Sequence, residues 1–588
     1  MSTSSDTSTP VLIVRSFAHA YLSYPRADYD LLPQIGAGPS GLAAALTLAQ
    51  NGIPIRIIDK AIEFHKSSRG SGLHLRTLEI FRFLGVAQDA RRLGLPLMPV
   101  QLYKLPGGTE PLGSWKLMDD VTISPDRPEV DHKKPTDSLV LSQYLTEGIF
   151  RDHLLKYGVQ VELGTEPVSM AQDETGVSVS LRHVGVQEVE TVRYAYVIGA
   201  DGARGFTRKA IGATFEGETK DGDGQAWADV EAEGISPDTW HAWIEPGKFT
   251  VAIRPKKEPG QFHLVIAGTN FDPVGLTEPS KFAESFYELT GRRDIVFKSF
   301  TGLSYWKPKM RMVNKMSEGR VFICGDAAHV HSPTGGQGLN TSVGDAFNIA
   351  WKLALVCKGL ASRGLLRTYQ IERLPVIAHM LAATSDLYTQ LTNIQPDGGP
   401  ASSGKGSSGW RNNALRQLEI NYRWSPVVFD ARGMNGLDEN ALKAHGYQGY
   451  PGEPVRAGDR APEAPALVDA FGKETSLFEI FKPNTHTVLV FSPTHAGESG
   501  VQEVAAAAQA SPLASVTQTL VLGRDGVPPA IDGAKAYHDK EGHAYKAYGV
   551  DVRVLTVVVV RPDGYIGAFV NDVDGLQTYI SRIAGEFA

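Results

Sequence analysis

Residues 319–352 read GRVFICGDAAHVHSPTGGQGLNTSVGDAFNIAWK, and this stretch decides the fold. Val321, Phe322, Ile323 and Cys324 form a short unbroken apolar run, the pattern of a strand covered on both faces. The run stops at Gly325 and Asp326. An acid at the carboxyl end of a parallel strand faces the crevice where open α/β sheets bind ligands, and there it accepts hydrogen bonds from hydroxyls. Gly335, Gly336 and Gly338 let bare backbone approach a flat ligand, and a helix is expected from near Leu339 and Asn340. The start of that helix offers unpaired N–H groups and partial positive charge. Both suit an electron-rich carbonyl edge that becomes anionic on reduction.

The order of strand, Gly-Asp turn and P-x-x-G-x-G-x-N turn resembles the second FAD motif of the single-component flavoprotein aromatic hydroxylases, the family of p-hydroxybenzoate hydroxylase and phenol hydroxylase. The resemblance implies that Asp326 binds the ribitol of FAD. It also implies that Pro333, Gly338, Leu339 and Asn340 lie beside the isoalloxazine ring.

Upstream, residues 36–41 spell GAGPSG, a G-x-G-x-x-G turn carried by Gly36, Gly38 and Gly41. A helix over residues 42–51 closed by Gly52 should follow, then a strand over residues 53–58 ending at Asp59. Asp59 stands 23 residues after Gly36, near the spacing at which a carboxylate meets an adenosine ribose. The strand that should feed this turn has two readings. One is Val11-Leu12-Ile13-Val14, separated from Gly36 by the 21 residues 15–35; the other is residues 29–35, in which Pro33 removes a ladder donor. In the family the strand runs directly into the first glycine, so residues 15–35 depart from the pattern.

Residues 67–85 form a polar loop entering a helix near Arg76. Arg69 resembles the family's loop arginine near the cofactor, while Arg76 and Arg82 read equally well as solvated helix charges. Gln143, at the start of a helix over residues 141–158, matches the family's FAD-contacting glutamine. Residues 194–199 read as a buried strand ending in Asp201-Gly202. This resembles the family's DG motif between the cofactor diphosphate and the NAD(P)H approach, with Arg204 and Arg208 suited to phosphate. From residue 215 to 309 alternation dominates and predicts an antiparallel sheet, the roof of the substrate pocket in the family. No substrate-activating base is assigned; Tyr305, Trp306 and His241 are read as core or rim.

The remaining signals bound the function. Lys+Arg 58 against Asp+Glu 65 gives a net charge of -7 and no basic footprint for nucleic acid. The two cysteines, Cys324 and Cys357, provide no disulfide framework and fit a reducing compartment. The opening has no apolar signal core and no run is long enough to span a bilayer, so a cytoplasmic protein is expected. Residues 399–405 spell G-x-x-x-x-G-K, but no strand precedes them and Gly406 replaces the hydroxyl that magnesium needs. His329 and His331 lack further ligands, so no metal site is expected. Residues 397–409 read as a surface loop.

With the family resemblance, the chain reads as α/β. A Rossmann-like FAD-binding domain (10–96, 140–214 and 310–392) interleaves with an antiparallel-sheet substrate domain (97–139 and 215–309). Residues 393–457 connect to a thioredoxin-like domain (458–588) of the phenol hydroxylase branch, which lacks Cys-x-x-Cys and so serves a structural or homodimer-forming role. Deleting residues 458 onward is expected to spare the flavin spectrum if that domain is structural, provided the rest still folds. The implied activity is an FAD-dependent monooxygenase with non-covalent FAD. NAD(P)H reduces the flavin and leaves, and oxygen forms a C4a-hydroperoxyflavin that hydroxylates a small phenolic or polyketide-type aromatic substrate in a water-poor pocket. Baeyer–Villiger insertion or epoxidation on the same fold, and a flavin-free interaction protein with an interrupted first motif, are the alternatives.

Overall fold

The computed structural model describes residues 32–115, 138–219, 222–307, 309–392, 413–433, 438–493 and 499–585. The loop expected over residues 397–409 lies outside them. A six-stranded sheet takes the order Ser317–Glu318, Val321–Ile323, Val197–Gly199, Leu32–Ile35, Ile55–Asp59, Val161–Leu163. Every pairing is parallel except that of Ser317–Glu318. Apolar runs without alternation become its central strands because both faces are covered; the helices Pro39–Gln50 and Gln337–Cys357 pack on each other across one face. The carboxyl ends of Leu32–Ile35, Val197–Gly199 and Val321–Ile323 collect three turns side by side. That is where an open sheet of this kind receives its ligand.

The first strand is Leu32–Ile35, inside the 15–35 segment, and residues 11–14 lie outside the described residues. It is a poor strand in a central place. Pro33, in register with Arg56, has no N–H to give, and Gln34 is fully buried with neither amide atom partnered among the described residues. A buried unpaired amide costs about 1–3 kcal/mol. Gln34→Val is therefore expected to stabilise the protein by about that amount. Joining Val14 directly to Gly36 puts Ile13 at the place of Gln34 and Leu12 at that of Pro33, and should raise the melting temperature and cofactor occupancy together. Calorimetry and cofactor titration check both, and a fall in either would mean that residues 15–35 stabilise the fold.

Two smaller departures have local causes. Gly335 and Gly336 take φ of 79° and 64°, which turns the chain early, so the helix begins at Gln337 rather than near Leu339. Residues 194–199 divide, with Tyr194 closing the antiparallel strand Val189–Tyr194 before Val197–Gly199 joins the parallel sheet.

A second sheet has seven strands in the order Val296–Trp306, Gly224–Glu233, Gln261–Gly268, Phe249–Pro255, Trp240–Glu245, Val100–Tyr103, Pro111–Trp115. Its alternation sorts the side chains by face. Ala226, Ala228, Val230, Ile253 and Leu264 pack against Phe282 and Phe286 of the helix Pro279–Thr290, whereas Trp227, Asp229, Arg254 and His263 belong to the opposite face. His241 stays in the core, its ring held by Tyr103 Oη at 2.8 Å and the Ser236 carbonyl at 2.8 Å.

The C-terminal sheet has eight strands, including Phe429–Asp430 from the connecting segment. Its hairpin Thr556–Val560 and Ile566–Val570 carries Arg561 and Asp563 into the interface with the helices Gln337–Cys357 and Gly364–Thr392. Arg76 and Arg82, read as solvated helix charges, belong to this junction. Arg76 is buried over the Tyr565 ring and donates to the Asp563 carbonyl, and Arg82 pairs with Glu463 at 2.9 Å.

Candidate functional site

The G-x-G-x-x-G turn separates into glycines required by packing and one that is not. A Cβ at Gly36 would lie 2.4 Å from the Ala200 carbonyl oxygen, and one at Gly41 2.0 Å from that of Gly36; at Gly38 nothing lies within 4 Å. Gly38 thus opens onto space. It is also the N-cap of Pro39–Gln50, a helix with no side-chain cap and no acid in its first turn, so its leading N–H groups and positive end stay available. Asp59 stands beside the same turn, accepting from the Ala37 N–H at 2.8 Å and the Ala61 N–H at 2.9 Å.

Asp201 occupies the next strand end. One carboxylate oxygen accepts from the Thr207 N–H at 2.8 Å and hydroxyl at 3.0 Å; the other is buried with no partner among the described residues, and burial raises the pKa. Arg208 is not solvated: it lies over the Phe215 ring and reaches the Ala327 carbonyl at 3.5 Å, while Arg204 is exposed.

Asp326 follows the third strand. It is reached by solvent yet crowded by protein, as at the floor of a cleft; that crowding raises its pKa, with His329 and Arg69 pulling the other way. It has no hydrogen-bond partner among the described residues. Its turn presses on the first helix, since a Cβ at Gly325 would lie 2.2 Å from Ser40 Oγ. The turn is held from beneath by Asp345, which sequence reasoning missed. This fully buried carboxylate accepts from the Gly325 N–H at 3.2 Å, pairs with His329 at 2.7 Å and accepts from Arg373 Nε at 2.7 Å. An acid amid apolar neighbours on a helix was the available signal, but nothing local points to Arg373.

Downstream, Pro333 is exposed, and Gly338 and Leu339 are half-buried at the start of the Gln337–Cys357 helix, which also lacks a side-chain cap. Asn340 differs. Its amide is committed to backbone, donating to the carbonyls of Gly72 (2.8 Å) and Gly336 (2.6 Å) and accepting from the His74 N–H (2.8 Å), so it shapes the turn. Gln143 accepts from the Gly70 N–H at 3.3 Å and donates to Glu147 at 2.9 Å. Gly70 also lies against Leu339, where a Cβ would meet the Leu339 Cβ at 3.6 Å. Arg69 beside it is exposed in left-handed backbone, φ 36°, which non-glycine residues seldom adopt. Gly36, Gly41, Asp201 and Asp326 thus adjoin at the strand ends, and Arg69, Gly70, Gln143 and Leu339 converge next to them.

Among the described residues, no group of three or more His, Cys, Asp or Glu could hold a metal ion. No helix there is long and apolar enough to cross a membrane.

The FAD binding domain family model matches residues 30–384, and that of the phenol hydroxylase C-terminal dimerisation domain matches residues 457–586. The flavin-dependent monooxygenase of Mycobacteroides abscessus is 33% identical over 553 residues, covering 93% of this chain and 98% of the relative. The pentachlorophenol 4-monooxygenase of Sphingobium chlorophenolicum is 27% identical over 554 residues, covering 91% and 92%. Among solved structures, the flavin-dependent monooxygenase PieE in complex with FAD and substrate has the same fold, with a TM-score of 0.76 at 22% identity, covering 94% of this chain and 98% of that one.

Proposed function

The chain belongs to the FAD binding domain family of flavoprotein monooxygenases, and from that premise we propose how its own residues serve aromatic hydroxylation. It is an FAD-dependent monooxygenase that uses NAD(P)H and oxygen on a phenolic or polyketide-type aromatic substrate. Baeyer–Villiger insertion, epoxidation and a flavin-free protein are not favoured by its relatives.

The observation that carries the site assignment is Asp326, an accessible carboxylate without a hydrogen-bond partner among the described residues, between two uncapped helix starts. Such a group fits a polyol that brings its own donors. In this reading Asp326 accepts from the ribitol, Gly38 and the start of Pro39–Gln50 hold the diphosphate, and Asp59 meets the adenosine ribose. Asp201 closes the diphosphate side. The start of Gln337–Cys357, with Pro333, Gly338 and Leu339, faces the ring edge, and Gln143 and Arg69 complete its border. Asn340 supports that turn from behind. When bound, FAD supplies the hydride acceptance and the oxygen activation. The protein positions the aromatic substrate under the second sheet's polar face and keeps water away.

The division 10–96, 140–214 and 310–392 against 97–139 and 215–309, with 393–457 connecting to 458–588, belongs to the same reading. So do a homodimer through the C-terminal domain and a cytoplasmic setting where NAD(P)H is at hand. The test is direct: acid precipitation of purified protein should release yellow FAD into the supernatant. Colour left in the pellet, or FMN in place of FAD, would overturn the site. Phenols and aromatic polyketides that accelerate NAD(P)H oxidation should return as products carrying one added ring hydroxyl; a lactone or epoxide would overturn the hydroxylase reading.

A further inference from the structure

We propose that Asp229, on the substrate sheet, is a positioning residue for the cofactor: together with Arg254 it grips the 67–71 loop on both sides of Arg69 and sets where that guanidinium stands. This rests on the reading above that FAD occupies the site beside Asp326. It assigns to the sheet a second task besides roofing the substrate.

The grip is specific. Asp229 is 2% exposed in the strand Gly224–Glu233, and one of its oxygens accepts from the Ser68 N–H at 2.8 Å. Its other oxygen meets His263 Nδ1 at 2.9 Å, and Lys256 Nζ lies 3.5 Å away. Burial pushes this carboxyl up, but His263, Lys256 and Ser68 together hold it down at about 2, so it stays an ionised acceptor. Three residues further on, Arg254 donates to Ser71 Oγ at 2.5 Å. The rest of Ser68 is tied as well, its hydroxyl to Ser142 at 2.8 Å and its carbonyl to the Gln143 N–H at 2.9 Å. Between these anchors stand only Arg69 and Gly70.

Arg69 is the strained member, at φ 36°. A non-glycine residue in that region is strained and persists only where its surroundings over-determine it. Asp229 supplies the constraint, because without its oxygen the N–H of the buried Ser68 would have no acceptor among the described residues. The loop then relaxes, Arg69 returns to ordinary backbone geometry, and its positive charge leaves the neighbourhood of Asp326. A cation held beside the ring favours the anionic reduced state, so its departure makes the bound flavin harder to reduce. The sheet presses on the loop at a second point: a Cβ at Gly302 would lie 2.6 Å from Ser67 Cβ.

The test uses full-length holoprotein and three variants. Asp229→Ala removes the acceptor; Asp229→Asn keeps an oxygen for Ser68; Gly302→Ala pushes the loop while leaving Asp229 intact. Asp229→Ala and Gly302→Ala should each bind FAD within about threefold of the parent affinity, yet be reduced by NAD(P)H at least about tenfold more slowly, a change of some 1.4 kcal/mol in the barrier. Their flavin midpoint potentials should move negative. Asp229→Asn should recover most of the rate. Parent-like reduction of Asp229→Ala overturns the proposal, as does an Asp229→Asn as slow as the alanine variant, which would assign the effect to charge rather than to the loop. If Asp229→Ala fails to fold, Gly302→Ala reduced at the parent rate overturns it equally. A parent protein that binds no FAD fails the cofactor reading instead, and that result is seen before any variant is made.

Discussion

Arg561→Ala is expected to destabilise the protein by about 3–5 kcal/mol, the range for removing one partner of a buried ion pair. Arg561 is fully buried and donates to both oxygens of Glu372, at 2.8 and 3.0 Å, and to Asp563 at 3.0 Å through Nε. Glu372 also accepts from Lys352 Nζ, Asn348 Nδ2 and Ser425 Oγ, each at 2.7 Å, and Asp563 accepts from Trp351 Nε1 at 3.1 Å. Although burial works against it, the surrounding cations keep the Glu372 carboxyl well below the usual range, while burial, against the pull of Glu372, brings Lys352 down to about 8. Alanine at 561 would leave the buried Asp563 without its ion-pair partner. Denaturant unfolding measures the loss. The double variant Arg561→Met with Asp563→Asn, which leaves no unpaired charge, should lose much less.

The same junction bears on the condition under which deleting residues 458 onward would spare the flavin, that the rest still folds. The deletion removes Arg561 from Glu372, and it strips Phe478 and Phe481 from Phe83, whose ring lies 5.2 and 6.1 Å away. The neighbour of Glu372 on its helix is Arg373, which holds Asp345 and through it the turn carrying Asp326. The truncated chain should therefore lose its yellow colour along with its stability.

Asp326→Ala should weaken FAD by about 1.5–3 kcal/mol, because hydroxyls lose a charged acceptor. That is roughly ten- to a hundred-fold in affinity. Stability offers a separate readout. Asp326 has no hydrogen-bond partner among the described residues, so the melting temperature of the apoprotein should not fall, whereas the same change at buried Asp345 should lower it. Equal FAD titration curves for Asp326→Ala and the parent would move the ribitol contact elsewhere.

What the sequence determined by itself was whatever a short window can dictate. The run at Val321 to Ile323 has to be a doubly covered strand because it is apolar without alternation. Gly36, Gly335 and Gly336 have to be glycine because the backbone there takes positive φ. Those local demands fix the order of strand, turn and helix, and with it the family. The tertiary structure decided what depends on partners far along the chain. Residue type says that Asp229, Arg254, Glu372 and Arg561 are charged, but not that Asp229 meets Ser68 161 positions away or that Arg561 meets Glu372 across 189. Nor does it choose between two candidate first strands: LPQI is intrinsically the worse one, with a proline and a glutamine that has no partner among the described residues, yet it directly adjoins Gly36 and lies between two parallel neighbours. Propensity is a property of the segment, whereas pairing and charge compensation are properties of what the fold brings beside it.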